Sequence, residues 1–363
     1  MNTCRGCGGR HLQRVLDLGA VPAADHFPSA AEPVSAEETS HALAMDLCGD
    51  CGLAQLAADD TVTAEPRGIE PQALKDQAAD AVTRVAAAGW LTGTTVREFG
   101  SPHGGSWLGL LAERGFAPLR TSTGAADVVL DCFGIMHEPD QRAAFSERAA
   151  ATAADGVLLL QYHSLAAIVA QGQWNALRHG HFSYYSRRAL ERLLAHAGMS
   201  IAATWQFDLY GGTELIAAVH SSRRRWMRTG VVDAAHCVDD ELVHGILQRA
   251  ADQQVVALRS WLLDRQEAGV RVYGYGAASR AVSLFAMAGL DSTLIGAVAD
   301  ASPAKQGRRM PGTDIPIISP DALVDATPGL VVLTVPDMLP EVSSRLPKLA
   351  GRWVSIDRLP INS

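Results

Sequence analysis

Four of the six cysteines fall in two matched pairs, Cys4-x2-Cys7 and Cys48-x2-Cys51. Each pair offers two sulfurs from one tight turn, and two such turns can close a tetrahedral site around one ion. Glycines at 6, 8, 49 and 52 permit the turns. The N-terminal MNTCRGCGG lacks the apolar core of a secretory signal. A cytoplasmic chain with this spacing is therefore expected to hold structural Zn2+ rather than disulfides, with free thiols or a redox pair as the other readings. Four thiolates fill the coordination sphere, so such a site organises the fold and offers no open position for catalysis.

Beyond a polar link at 61–75 and an alanine-rich helix at 73–91, strands and helices alternate from Val96. The strands VREFG, APLRTS, ADVVLDCFG and DGVLLLQYHS read as a mostly parallel sheet, closed by MSIAATWQFD and TELIAAVHS. One long helix is expected over 239–269, ending at Gly269, and a second alternating unit follows it. The fold class is α/β: an N-terminal zinc-binding module (1–65), a shortened Rossmann domain (66–228), and a long helix with a C-terminal Rossmann-like domain (229–363). The net charge of −8 and the brevity of SSRRRW argue against nucleic acid as a partner. No apolar run approaches the roughly 20 residues that span a membrane.

Three further stretches carry chemistry. EFGSPHGG (98–105) sets a glycine turn between strand and helix, with Gly100 and Gly104 placed to let a cofactor approach the backbone. The next strand has no carboxylate to grip a ribose. RHGHFSYYS (178–186) gathers Arg178, His179, His181, Tyr184 and Tyr185 just before a helix that Ser186 would cap. Histidine moves protons near neutral pH, although a polar loop packing its aromatics would read the same way. VYGYGAASRA (272–281) places Gly274 and Gly276 before a helix whose N-terminus, with Ser279 and Arg280, would face phosphate. Asp300, Lys305 and Gln306 follow at the end of a strand. A strand–helix turn that binds no ligand is the alternative.

Together these elements resemble the sugar C-methyltransferases of deoxysugar biosynthesis. The resemblance runs over nearly the whole chain: CxxCGG with VLDLGAVPAADHFP, the second CxxCG, and GYGAASRA followed by D-x2-P-x-KQG-x3-PG-x2-IPI. It implies a zinc module and two Rossmann-like domains around a nucleotide-linked keto-sugar, here expected to be a dTDP-sugar. In that family the central domain binds S-adenosylmethionine, a base removes the proton beside the ketone, and the carbanion takes the methyl group. DGVLLLQYHSLAAIVAQGQWNALRHGHFSYYS aligns His181 without gaps on the histidine the family sets beside its substrate. Gly211 and Gly212 keep the family's Gly-Gly pair near the sugar.

Several positions depart from the family. Its tyrosine three residues before the histidine is Arg178, its glutamate just before is Gly180, and its strand-end carboxylate is Gln161. The N-D-G of its methyl-donor loop is Pro102-His103-Gly104, and its W-N is Val335-Pro336. Between Glu98 and Asp127 the chain crosses with one helix and one strand where the family has a further helix, strand and helix. A lost charged hydrogen bond costs about 1.5–3 kcal/mol, so two would weaken donor binding by roughly two to four orders of magnitude. The expectation is thus a vestigial donor site at Gly100 and Gly104, and an enzyme that no longer methylates. It would use His181, aided by Arg178 with His179 as rival, for epimerisation, isomerisation or elimination on a keto-sugar nucleotide. Surviving methyl transfer, supported by Ser101, His103 and Ser106, is the alternative. A non-catalytic sugar-nucleotide-binding partner is the second.

Overall fold

In the computed structural model, which describes residues 3–61, 70–101, 105–119, 124–224, 242, 244–357 and 359, the cysteine pairs sit at one end of an antiparallel sheet. Strands β1 (Leu12–Val21), β2 (His41–Cys48) and β3 (Leu53–Leu56) form it in sequence order. The turn between β2 and β3 carries Cys48 and Cys51. Ahead of β2, Ala36–Thr39 forms one 3-10 turn closed by a capping box of Ser35 and Glu38. The sheet's fourth strand comes from the middle of the chain. Strand β8 (Ser183–Tyr185) pairs antiparallel with β3, with Leu53 opposite Tyr185 and Gln55 opposite Ser183. The expected boundary at residue 65 therefore does not separate this sheet from the loop that carries His181.

The central sheet runs β5 (Ala117–Pro118), β4 (Thr95–Phe99), β6 (Ala126–Cys132), β7 (Thr152–His163), β10 (Thr213–His220), β9 (Met199–Phe207). The first four are mutually parallel and β10 is antiparallel to both neighbours. Helix α1 (Gln72–Ala87) buries Ala78, Ala81, Val82 and Val85, a stripe at helical spacing. Helices α2 (Leu108–Ala112), α3 (Gln141–Ala151), α4 (Leu165–Ala170) and α5 (Arg187–His196) complete this unit. Ser186 caps α5, accepting from Ala189 N–H as its residue type predicts. Of the expected strand APLRTS, Ala117–Pro118 is strand, and residues 120–122 lie outside the described residues. Pro118, which has no N–H, suits the edge of a sheet, and among the described residues no strand lies outside it.

The C-terminal sheet is wholly parallel: β13 (Ile317–Ile318), β12 (Val298–Ala299), β11 (Val272–Tyr275), β14 (Leu330–Leu333), β15 (Trp353–Ser355). The long helix before it, α6, spans Ile246–Glu267 rather than 239–269. Gly245 (φ 71°) stands at its start in a left-handed conformation that cannot continue a helix. Residues 225–241 lie outside the described residues. Helix α7 (Ser279–Met287) follows β11. One apolar cluster joins Leu16 and Phe27 of the zinc module, Leu258 and Trp261 of α6, and Phe285 of α7, so these parts share a core.

Candidate functional site

The four cysteine sulfurs lie within 4.8 Å of one another, with Cys4–Cys51 at 3.5 Å and Cys7–Cys48 at 3.6 Å. Backbone N–H groups of Gly6 and Cys7 point at Cys4 Sγ, and that of Gly9 at Cys7 Sγ. Soft donors, four in number and converging from two turns, fit zinc. Three of the four are buried.

His181 sits where the zinc module, the central sheet and α7 meet. It is 6% exposed. Phe182, next to it, donates its N–H to Met136 O and accepts from Leu56 N–H at the end of β3. Gly180 has φ 77°, a conformation that favours glycine. Its N–H donates to Asp59 of the zinc module at 2.7 Å, and its carbonyl accepts from His137 Nδ1–H at 2.9 Å. The family's glutamate would be strained at this backbone angle. The loop is thus clamped on both sides before the chemistry begins.

His137 was not singled out in the sequence. Its ring packs edge-on to that of His181, centroids 4.5 Å apart. It lies in the turn that follows β6, whose shape Asp131 sets by accepting from Gly134 and Ile135 N–H. Asp131 is fully buried and paired with Arg148 at 2.9 Å; burial raises its pKa, against the pull of the guanidinium. Phe133 in the same turn has φ 61°, an uncommon angle for a bulky residue and one that marks local strain. Ligands bind in the crevice beyond the carboxyl ends of parallel strands, so a histidine just after ADVVLDCFG was a legible signal.

Arg178 joins two stretches that are a hundred residues apart in sequence. Its Nε–H donates to His181 Nε2 at 2.8 Å, and its terminal nitrogen donates to Ser279 Oγ at the start of α7. Arg280 donates to Asn175 Oδ1 at 3.2 Å, and burial lowers its pKa. His163, at the end of β7, faces the same cluster. Its pKa is lowered to about 4, first by burial and then by the charge of Arg280, and its Nε2 is buried with no hydrogen-bond partner among the described residues. The Gly-Gly turn reaches this region too: Tyr210 donates its N–H to Asp337 at 2.9 Å, and Gly211 and Gly212 take φ 77° and 152°. A β-carbon on Gly212 would meet Ala167 of α4.

Other expected site residues lie elsewhere. Tyr184 and Tyr185 are both 1% exposed. Tyr184 OH accepts from Arg178 N–H and donates to Ala176 O, while Tyr185 OH donates to Gln141 Oε1. They anchor the loop instead of facing a ligand. His179 turns toward the zinc module, where it is 2% exposed and donates to Ala42 O. Burial lowers its pKa. Asp300 accepts from Ala277 N–H, and Lys305, buried, donates to Ala277 O and lies over the Phe27 ring. Both therefore shape the turn before α7 and dock it on the zinc module. Gly274 is a packing glycine in β11, where a β-carbon would press on Val298. Gly276 (φ 93°) makes the turn, held against Thr334.

At the expected methyl-donor turn, Glu98 accepts from Ser106 OH and Trp107 N–H, so it organises the start of α2. Gly100 has open space where a side chain would stand, which fits close approach of a ligand. Gly104 lies outside the described residues. The two-residue β5 carries no carboxylate. The strand-end half of a donor site is thus present, and the ribose-gripping half has no counterpart among the described residues.

Residues 4–65 match the family described as "Putative zinc binding domain", and residues 233–356 match "C-methyltransferase C-terminal domain". The chain belongs to this C-methyltransferase family with an N-terminal zinc module. Among curated proteins, the C-methyltransferase NovU of Streptomyces niveus is 27% identical over 248 residues, which cover 64% of this chain. The match spans 57% of that relative's length. Solved structures with a similar portion include magnesium protoporphyrin IX methyltransferase from Synechocystis with bound SAH, at 16% identity over 41% of this chain and 84% of that one, TM-score 0.30. Another is an S-adenosylmethionine-dependent methyltransferase from Clostridium acetobutylicum, at 10% identity over 42% and 93%, TM-score 0.29. At those scores the likeness carries no argument about this site. The family match gives no support to the expected loss of methylation. Among the described residues no helix is long and apolar enough to cross a membrane.

Proposed function

We propose that this chain is a C-methyltransferase that acts on a carbon beside a carbonyl of a small, anionic substrate, of the nucleoside-diphosphate keto-sugar class. The observation that carries the reading is the meeting of His181, His137 and Arg178 with Ser279 and Arg280 at the N-terminus of α7. A carbonyl acidifies its neighbouring C–H. An imidazole near neutral pH is partly unprotonated and can take that proton. The guanidinium groups and the free N–H groups at the start of α7 would bind the anionic part of the substrate, since a helix N-terminus favours negative charge. His137, whose Nδ1–H is committed to Gly180 O, fixes the loop that holds the base. S-adenosylmethionine, the donor in the resembled family, would supply the methyl group from the side of Gly100. The zinc ion would be held by Cys4, Cys7, Cys48 and Cys51, away from the reacting atoms.

The lack of a carboxylate in FAPLRTST (116–123) favours a second reading: a donor site too weak to fill, with the carbanion reprotonated or expelling a leaving group. One experiment separates the two. Purified protein is incubated in deuterated water with keto-sugar nucleotides, with and without S-adenosylmethionine, and the products are weighed by mass spectrometry. Gain of a methyl group only with the donor supports methyl transfer. Deuterium uptake without methyl gain at saturating donor supports the second reading. Neither, with any candidate keto-sugar, leaves the non-catalytic binding protein.

A further inference from the structure

We propose that Arg178 is a positioning residue that caps the base until an oxyanion of the substrate seats at the start of α7. The inference rests on the reading of His181 as the base. A nitrogen that accepts an N–H from a guanidinium has its lone pair engaged. At 2.8 Å from Arg178 Nε, His181 Nε2 is in that state. The other end of the same guanidinium is tied to Ser279, the first residue of a nine-residue helix whose N-cap, Ala278, supplies no side-chain acceptor. The next residue, Arg280, makes its hydrogen bond to a neutral amide and has no carboxylate within ion-pair distance among the described residues.

A diphosphate oxygen arriving there meets a helix end and two guanidinium groups. Arginine binds an oxyanion through charge-assisted bonds about twice as strong as those to a neutral acceptor. Arg178 therefore turns from the imidazole to the anion, and Nε2 is released at the moment the substrate is in place. This position is a tyrosine in the resembled family, and a phenol cannot pair with phosphate through two parallel N–H bonds.

Among the described residues, the groups seen against His181 include Arg178 on its own loop and His137 from the turn after β6, while Asp59 of the zinc module reaches the adjoining Gly180 amide. Protonated His181 could not accept from Arg178 and would be repelled by it, so Arg178 favours the neutral ring. Its removal, or its capture by an anion, must raise the pH at which His181 titrates.

The test is an NMR titration of the full zinc-loaded chain, with His181 assigned by its loss in H181A, with and without inorganic pyrophosphate. Without pyrophosphate, R178M and R178Q are expected to titrate about one pH unit above wild type. Pyrophosphate is expected to raise wild type by a similar amount and the variants by clearly less. Equal midpoints in wild type and both variants would overturn the proposal, and so would a pyrophosphate response that is absent or the same in all three. The wild-type arm needs no variant to fold. Turnover of H181A separates this proposal from the reading beneath it. If H181A still turns over while the midpoints move as expected, the base lies elsewhere. If H181A is dead and the midpoints stay fixed, the base stands and the capping does not.

Discussion

Glu38→Gln should loosen the joint between the zinc module and the C-terminal domain. Arg309, 2% exposed, spends five N–H contacts there: two on Glu38, at 2.7 and 2.5 Å, and the others on the carbonyls of Glu32, Pro33 and Thr313. Glu38 also accepts from Gly312 N–H and closes the capping box with Ser35. Arg309, first among these, lowers the Glu38 pKa from its ordinary 4.5 to about 2. That difference corresponds to about 3 kcal/mol, which solvent screening at a part-exposed carboxylate trims to about 2. Breaking a buried pair by removing one charge gives a similar or larger cost. The folded-state pKa is depressed, so the stabilisation is complete above the unfolded value near 4.5 and is lost as pH falls toward 2. Urea unfolding of wild type and variant from pH 7 down to pH 3 is the assay. The gap between them should hold at about 2 kcal/mol from pH 7 to 5 and narrow below. A gap under about half a kcal/mol at pH 7, or one that widens in acid, would refute the clamp.

Three other perturbations bear on the site. His181→Ala should lower turnover at least about a hundredfold, the usual contribution of a positioned base, with folding unchanged by circular dichroism; His179→Ala, whose ring faces the zinc module, should cost far less in the same assay. Gly180→Ala forces φ 77° on an L-residue, at about 1–2 kcal/mol, and should lower both melting temperature and kcat, each read directly. Chelating the metal should release one zinc per chain by metal analysis and unfold the N-terminal sheet, because binding and folding are linked at such sites.

The zinc module was legible because ligand spacing is local: two residues between cysteines fix a knuckle wherever the rest of the chain goes. The alternating strands of both later units were legible for the same reason. What sequence could not give was which loops meet. RHGHFSYYS and GYGAASRA read as separate sites, and only the packing of α7 against the 174–178 turn brings Arg178 to Ser279. The tyrosines misled because a loop aromatic looks the same whether it faces a ligand or a core; β8 puts Tyr184 and Tyr185 into the zinc sheet, an antiparallel pairing across more than a hundred residues. Asp300 and Lys305 misled similarly. Their charges suggested phosphate, but a buried lysine over Phe27 with its ammonium on a carbonyl is fastening two domains together.

That pairing gives a closed metal site a part in a protein whose proposed chemistry lies elsewhere. Strand β3 begins two residues after Cys51, and its far edge receives β8, so the strand leading out of the His181 loop hydrogen-bonds to the strand leading out of the zinc turn. Asp59, three residues past β3, holds Gly180. A three-residue strand and one charge-assisted bond are too little to order a loop that must take a left-handed turn at Gly180. They suffice if β3 is itself rigid, and a four-residue strand between a tight turn and a loop is rigid only when that turn is fixed. Zinc bound at the four sulfurs would fix it. The metal would thus act on His181, the proposed base, through about ten residues of backbone. Loss of zinc should therefore disturb His181 before it disturbs the distant β4–β6 sheet, a sequence of events that residue-resolved hydrogen exchange during chelation would reveal or deny.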